Sequence, residues 1–215
     1  HWQADDTFCD RSRDRSTAVV GGLARYMPRL FGIAHLEELP LGQSGSERAG
    51  ALAEVDRRYY SDALIVADLS NDASYAEDLW NMFGLRVIGV HITWHGDGTG
   101  FKYRQVPGGA ILVYSMGRTT LIENYLAEME RGDMRIVNNE MSRRAYQQLA
   151  DLEVVDKDTG RFYNCLSGRH DDLGISCAMA AWAARHPHLP SWIGRYERSR
   201  IIRKRQSPPS SAAWT

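Results

Sequence analysis

The chain has 215 residues but only three lysines, Lys102, Lys157 and Lys204, so the remainder of its 26 basic residues are arginines. None of the three follows a glycine. A Walker A loop needs Gly-Lys-Ser/Thr to cradle nucleotide phosphates, so this chain holds no P-loop ATPase. Cysteine is equally scarce. Cys9, Cys165 and Cys177 are odd in number, far apart and form no Cys-x-x-Cys. That argues against a disulfide framework or a zinc ribbon, and for a reducing cytosol. Long apolar runs are missing too. Ala63–Ala67, Ala110–Tyr114 and the small-residue stretch Cys177–Ala184 fall well short of the roughly 20 residues of a membrane span. The opening residues, His1 to Asp6, lack the basic flank and apolar core of a signal peptide. A strong charge of either sign is also absent, since 26 basic residues meet 27 acidic ones for a net −1. The strongly basic balance common in nucleic-acid binders is therefore not a global property of this chain.

What is present is a globular composition, with 43% hydrophobic and 25% charged residues. This excludes disorder as the main state, and the length suits one domain with a full core. Residues 1–194 are expected to form that domain, and 195–215 a basic, then Ser/Pro-rich tail. Trp2–Phe8 reads as a thinly apolar first strand, followed by the polar turn Asp10–Ser16. Thr17–Leu23 and Leu30–Leu39 read as further strands of a meander. The spacing of Ala49, Leu52, Ala53, Val55 and Tyr59 predicts a helix over 47–60. The unbroken apolar run Ala63–Ala67 predicts a strand buried on both faces. A helix over Asp72–Phe83 closed by Gly84, then a strand over Arg86–Ile92, completes a βαβ unit. Gly96–Gly109 reads as a Gly-rich loop. Helices are expected over Arg118–Arg131, Ser142–Leu152 and Asp171–Arg185. Together these elements predict an α/β domain with a mixed sheet and helices on both faces.

Three acidic points stand at the ends of elements: Asp5-Asp6 in the first strand, Asp68 after the buried strand, and Asp171-Asp172 at a helix start. Strand ends and helix starts along one sheet edge are where α/β folds bind ligands. Carboxylates brought together there repel unless cations neutralise them. Oxygen-only ligands favour Mg²⁺ or Mn²⁺ over zinc. Two such ions about 4 Å apart suit phosphodiester hydrolysis. Each acid also has a plainer use. An Asp at a helix start ordinarily caps the helix, and Asp68 before Leu69-Ser70-Asn71-Asp72 suits a turn.

The segment His170-Asp171-Asp172-Leu173-Gly174-Ile175-Ser176-Cys177-Ala178-Met179-Ala180 resembles the closing motif of the large terminase nuclease domain of tailed bacteriophages. That motif is His-Asp-Asp-Leu, three variable positions and a run of small and apolar residues. Other segments resemble the family in the right order. They are Asp6-Thr7-Phe8 with Asp14-Arg15-Ser16-Thr17-Ala18-Val19-Val20, the strand Ile65-Val66-Ala67-Asp68, Leu85–Thr93, and the helix with Glu128-x-x-Arg131-Gly132-Asp133-Met134-Arg135-Ile136. The resemblance spans roughly residues 2–190. It implies an RNase H-like fold, with a mixed β-sheet flanked by helices on both faces. It also implies a nuclease that cuts double-stranded concatemeric viral DNA with little sequence preference, using two Mg²⁺ or Mn²⁺ ions. Carried over by position, Asp6, Asp68 and Asp172 would be the catalytic metal ligands, with Asp5 and Asp171 as the alternatives at the doubled positions. Asp171 would otherwise serve as helix cap or supporting residue, and His170 would support the site or only pack. The implied partners are a packaging ATPase domain, which these residues do not include, a portal and a small terminase subunit, with no membrane. The implied location is the cytoplasm of the bacterial host.

DNA contact is expected from Arg11, Arg13 and Arg15 beside the first hairpin, and from Arg203, Lys204 and Arg205 in the tail. The tail suits docking to another packaging protein equally well. Lys102 and Arg104 flank the Gly-rich loop, which is either a flap over DNA or a long hairpin. His91 and His95 stand four apart, but in a strand-to-loop context that does not suggest zinc. Two other activities stay open: a related RNase H-like resolvase or hybrid-cutting ribonuclease, and a catalytically idle DNA-docking module of a packaging motor.

Overall fold

The computed structural model of the chain describes residues 16–24, 27–59, 63–70, 73–94, 100–157, 160–165, 170–186 and 189. The expected first strand, with Asp5 and Asp6, lies outside them, as do Arg11, Arg13, Arg15, Arg203, Lys204 and Arg205. A two-stranded meander opens the described fold, with β1 (Thr17–Ala24) antiparallel to β2 (Met27–Glu38). After helix α1 (Gly45–Tyr59) comes β3 (Ile65–Asp68), then α2 (Ala73–Phe83) and β4 (Val87–Thr93). This is the predicted βαβ unit, and β3 and β4 pair in parallel. Gly84 takes a positive φ of 56° to end α2, and a single 3₁₀ turn leads into β4.

β5 (Phe101–Val106) and β6 (Gly109–Gly117) form an antiparallel hairpin, and β6 also pairs in parallel with β4. The Gly-rich stretch is thus a hairpin rather than a loop throughout. Its tight turn uses Gly108 at φ 81°. Then follow α3 (Arg118–Glu130), β7 (Met134–Ile136), α4 (Glu140–Ala150), the hairpin β8 (Leu152–Lys157) and β9 (Gly160–Cys165), and α5 (Asp172–Arg185). Among the described residues the sheets run β1-β2-β7, β3-β4-β6-β5 and β8-β9.

Strand alternation sends the core to two sides. Ile65, Ala67, Val87, Ile111 and Val113 pack with Ala76, Leu79 and Phe83 of α2 and Ala49 of α1. Val66, Val90, Ile92 and Met116 face the other way, into a core with Leu121, Ile122 and Tyr125 of α3 and Leu173, Cys177 and Ala181 of α5. Helices therefore cover both faces, as the unbroken apolar character of β3 required. A buried ion pair ties the end of α1 to the turn before β4. Arg86 reaches Asp56 at the end of α1 through two bonds of 3.0 and 2.7 Å, and donates to the Ala63 carbonyl at 2.9 Å. Helix α4 starts on a reciprocal cap: the Asn139 side chain accepts from Ser142 N at 2.9 Å, and Ser142 Oγ accepts from Asn139 N at 3.1 Å. The helix accordingly starts at Glu140, ahead of Ser142.

Candidate active site at the carboxyl edge of the parallel strands

Because β3, β4 and β6 run parallel, their carboxyl ends lie along one edge. Asp68 ends β3, Trp94 follows β4, and Arg118 follows β6. Helix α5 runs the opposite way, so its first turn returns to this edge. Its far end packs on the opening halves of the strands, where Ala183 joins Ile88 and Leu112, with Leu189 from beyond the helix. Asp68 lies two residues beyond Val66, so both side chains stand on the α5 face of the sheet. The fold thus brings Asp68 and Asp172 to the same edge and the same face.

Asp68 is exposed, and its Oδ1 accepts from Ser70 N at 2.9 Å and from Ser70 Oγ at 2.5 Å. Ser70 Oγ in turn accepts from Ile92 N at 2.9 Å, which ties the turn to β4. The turn use foreseen for Asp68 is therefore real, and it fixes the carboxylate at the strand end.

At α5 the two neighbouring acids part company. Asp171 occupies the cap position, yet its side chain makes no capping bond. It instead pairs with Arg118. The Arg118 side chain is 11% exposed and that of Asp171 15%. Arg118 also donates to the Tyr163 carbonyl at 3.3 Å and lies 4.9 Å from the Trp94 ring centre. The cap comes from outside the helix, where Gln148 Oε1 of α4 accepts from Leu173 N at 2.9 Å and Gly174 N at 3.1 Å. Asp172 Oδ2 is shielded from solvent and stands 3.9 Å from His170 Nδ1. The Asp172 carbonyl accepts from Thr17 Oγ1 at 3.3 Å, and Thr17 Oγ1 lies 2.5 Å from Ser176 Oγ. The start of β1 therefore abuts this same turn.

The sequence-predicted set divides accordingly. Asp68, Asp171, Asp172 and His170 come to the edge described here. Lys102 and Arg104 do not join them. They pair in register with Val113 and Ile111, whose side chains pack toward α1 and α2, so both basic side chains stand on the opposite face of the sheet. Sequence reasoning missed Arg118 and Gln148. Arg118 carried a signal: it is the first residue of α3, where a cation meets the positive end of the helix dipole, and no acid lies in that first turn. Such a residue needs a carboxylate from elsewhere. Gln148 carried no signal, since a polar residue on a helix face is the ordinary surface pattern.

Among the described residues, no three His, Cys, Asp or Glu side chains gather into a metal-binding group. Asp68 and Asp172 offer oxygen donors, a chemistry that favours Mg²⁺ or Mn²⁺ over zinc. The third expected acid lies outside the described residues.

Mixed sheets with helices packed on both faces are the α/β architecture expected from the sequence. No family model and no curated protein matches the chain. Solved structures do. The chain is 17% identical to the large terminase nuclease from thermophilic phage G20c with bound magnesium, with a TM-score of 0.52, covering 79% of this chain and 82% of that one. A further match is the large terminase nuclease domain of Thermus phage P74-26, with 16% identity, a TM-score of 0.48 and coverage of 79% and 80%. The G20c likeness shows the shared fold.

Proposed function

We propose that this chain is a metal-dependent endonuclease that hydrolyses double-stranded concatemeric viral DNA during genome packaging, with little sequence preference. The observation that carries the reading is the placement of Asp68 and Asp172 on one face of one sheet edge, in a fold shared with a magnesium-bound phage terminase nuclease. Asp68, Asp172 and Asp6 are the proposed metal ligands, with Asp5 the alternative to Asp6. The pairing of Asp171 with Arg118 supports a holding role for it, with Asp171 the alternative to Asp172 as ligand. Two Mg²⁺ or Mn²⁺ ions held there would activate the attacking water and steady the leaving 3′ oxygen.

The chain's own residues do the positioning. Asp68 sits on a rigid strand end, held by the Ser70 turn. Asp172 sits on the first turn of α5, where the helix dipole favours an ionised carboxylate. His170, 3.9 Å from Asp172 Oδ2, adds positive charge beside that carboxylate when protonated. Arg11, Arg13, Arg15, Arg203, Lys204 and Arg205 are the proposed phosphate contacts, positioning a duplex without reading its sequence. The proposed partners are a packaging ATPase domain, a portal and a small terminase subunit, in the host cytoplasm.

Plasmid cleavage with Mg²⁺ and Mn²⁺ tests the reading. Wild type is expected to nick and linearise, and Asp68→Asn and Asp172→Asn to lose at least about 100-fold in rate. Equal cutting by all three removes the assignment. A panel of duplex, four-way junction and RNA–DNA hybrid separates the packaging reading from a resolvase or ribonuclease. Salt-sensitive DNA binding with no cleavage by wild type would instead indicate an idle docking module.

A further inference from the structure

The first turn of an α-helix leaves backbone N–H groups without intrahelical partners, and a side chain at the cap position normally accepts from them. In α5 that position belongs to Asp171, which does not cap. Gln148, on the neighbouring helix, supplies one oxygen to two of those amides, at 2.9 and 3.1 Å. The close approach that permits this is built into the sequence. A Cβ added at Gly174 would stand 2.9 Å from Leu149 Cδ2, so the glycine leaves room for the Leu149 side chain of α4 against the start of α5.

The geometry points to Gln148 as a positioning residue for Asp172, an inference that rests on the nuclease reading above. Two consequences follow from a cap that is neutral and comes from another helix. Asp171 is released from capping and is committed to Arg118. The positive end of the α5 dipole is not cancelled by a capping carboxylate, so it acts on Asp172 at the first helical position. The Asp-Asp pair thereby acquires two distinct roles: Asp171 fastens α5 to α3, and Asp172 presents its carboxylate at the sheet edge. Gln148 touches neither substrate nor the reacting atoms, and acts only through the backbone that carries Asp172.

The test compares the full chain as wild type, Gln148→Leu, Gln148→Asn and Gln148→Glu, with Asp172→Asn and Leu149→Ala as references. The readouts are Mn²⁺ binding by electron paramagnetic resonance, hydrogen exchange of the Leu173 and Gly174 amides, and thermal stability. Gln148→Leu removes the acceptor and Gln148→Asn withdraws it by one methylene. Both are expected to speed exchange at the two amides and to weaken Mn²⁺ binding by about 10-fold or more, the scale for residues that orient a metal ligand. Gln148→Glu keeps an oxygen acceptor in place and is expected to restore amide protection, while its charge at the cap leaves Mn²⁺ binding below wild type. Leu149→Ala perturbs the same helix contact without touching the cap, and is expected to lower thermal stability while leaving Mn²⁺ binding near wild type. Unchanged Mn²⁺ binding in Gln148→Leu and Gln148→Asn overturns the inference, as does equal weakening by Leu149→Ala. If Asp172→Asn binds Mn²⁺ as wild type does, the nuclease site itself falls and the inference with it. Loss of binding in Asp172→Asn alone overturns only the role of Gln148.

Discussion

Adjacent identical residues can differ in their work, and Asp171 and Asp172 show how. One is held by Arg118 in a nearly buried pair, the other sits on the helix dipole at an open edge. Removing one partner of such a pair leaves an uncompensated charge, at a cost of about 3–5 kcal/mol. Arg118→Met is therefore expected to destabilise the fold strongly, and Arg118→Met with Asp171→Asn to recover much of the loss, as read by urea unfolding. No recovery in the double variant would mean that Arg118 acts mainly through Tyr163 and Trp94. Cys177 gives a second prediction. Burial pushes its thiol up to about 12, with a hydrogen bond from Tyr125 opposing in part. The unfolded chain's thiol ionises near 9.0 while the folded one stays protonated, so this contribution is intact below about pH 9 and falls as pH rises toward 12. Cys177→Ala is expected to flatten the decline of unfolding free energy between pH 9 and 11, and native Cys177 to resist alkylation at pH 8. The acids were legible as residue types at element ends. Their division of labour was not, because it depends on Arg118 and Gln148, which approach from elements far away in sequence.

At the scale of elements, local pattern was informative wherever a segment is buried on both sides. The run Ala63–Ala67 announced β3, and the small residues of 171–185 announced a helix packed close to its neighbours. Exposed elements were harder. β5 hid in a Gly-rich stretch because it is an edge strand with little burial. The β8–β9 hairpin escaped because its strands pair only with each other among the described residues, and Val154 points into solvent. The Glu128 and Asp133 motif proved structural: Glu128 pairs with Arg185 at 2.6 Å, and Arg131 with Asp133 at 3.2 Å. A buried clamp between elements is Arg86 with Asp56, which fastens the end of α1 to the start of β4. Asp56→Ala strands a buried guanidinium and is expected to cost about 3–5 kcal/mol by urea unfolding. A cost below about 1 kcal/mol would place that pair among ordinary surface contacts.

At the scale of the whole molecule, parallel pairing does the assembling. It lines up the carboxyl ends of β3, β4 and β6, and α5 returns to the same edge because it runs against them. No positive φ is needed at a non-glycine residue for Asp68 and Asp172 to lie along this edge among the described residues. The balanced charge of the chain is compatible with DNA binding because phosphate contact needs only a local cluster of arginines. Among the described residues no helix is long and apolar enough to cross a membrane.

The most direct measurement is a crystal structure with Mn²⁺ added, using anomalous scattering to locate the ions. The expected result is manganese within about 2.2 Å of carboxylate oxygens from both Asp68 and Asp172, with Asp171 still on Arg118. Manganese bound elsewhere, or the Asp68 and Asp172 side chains turned away from one another with the ions present, would contradict the shared metal site.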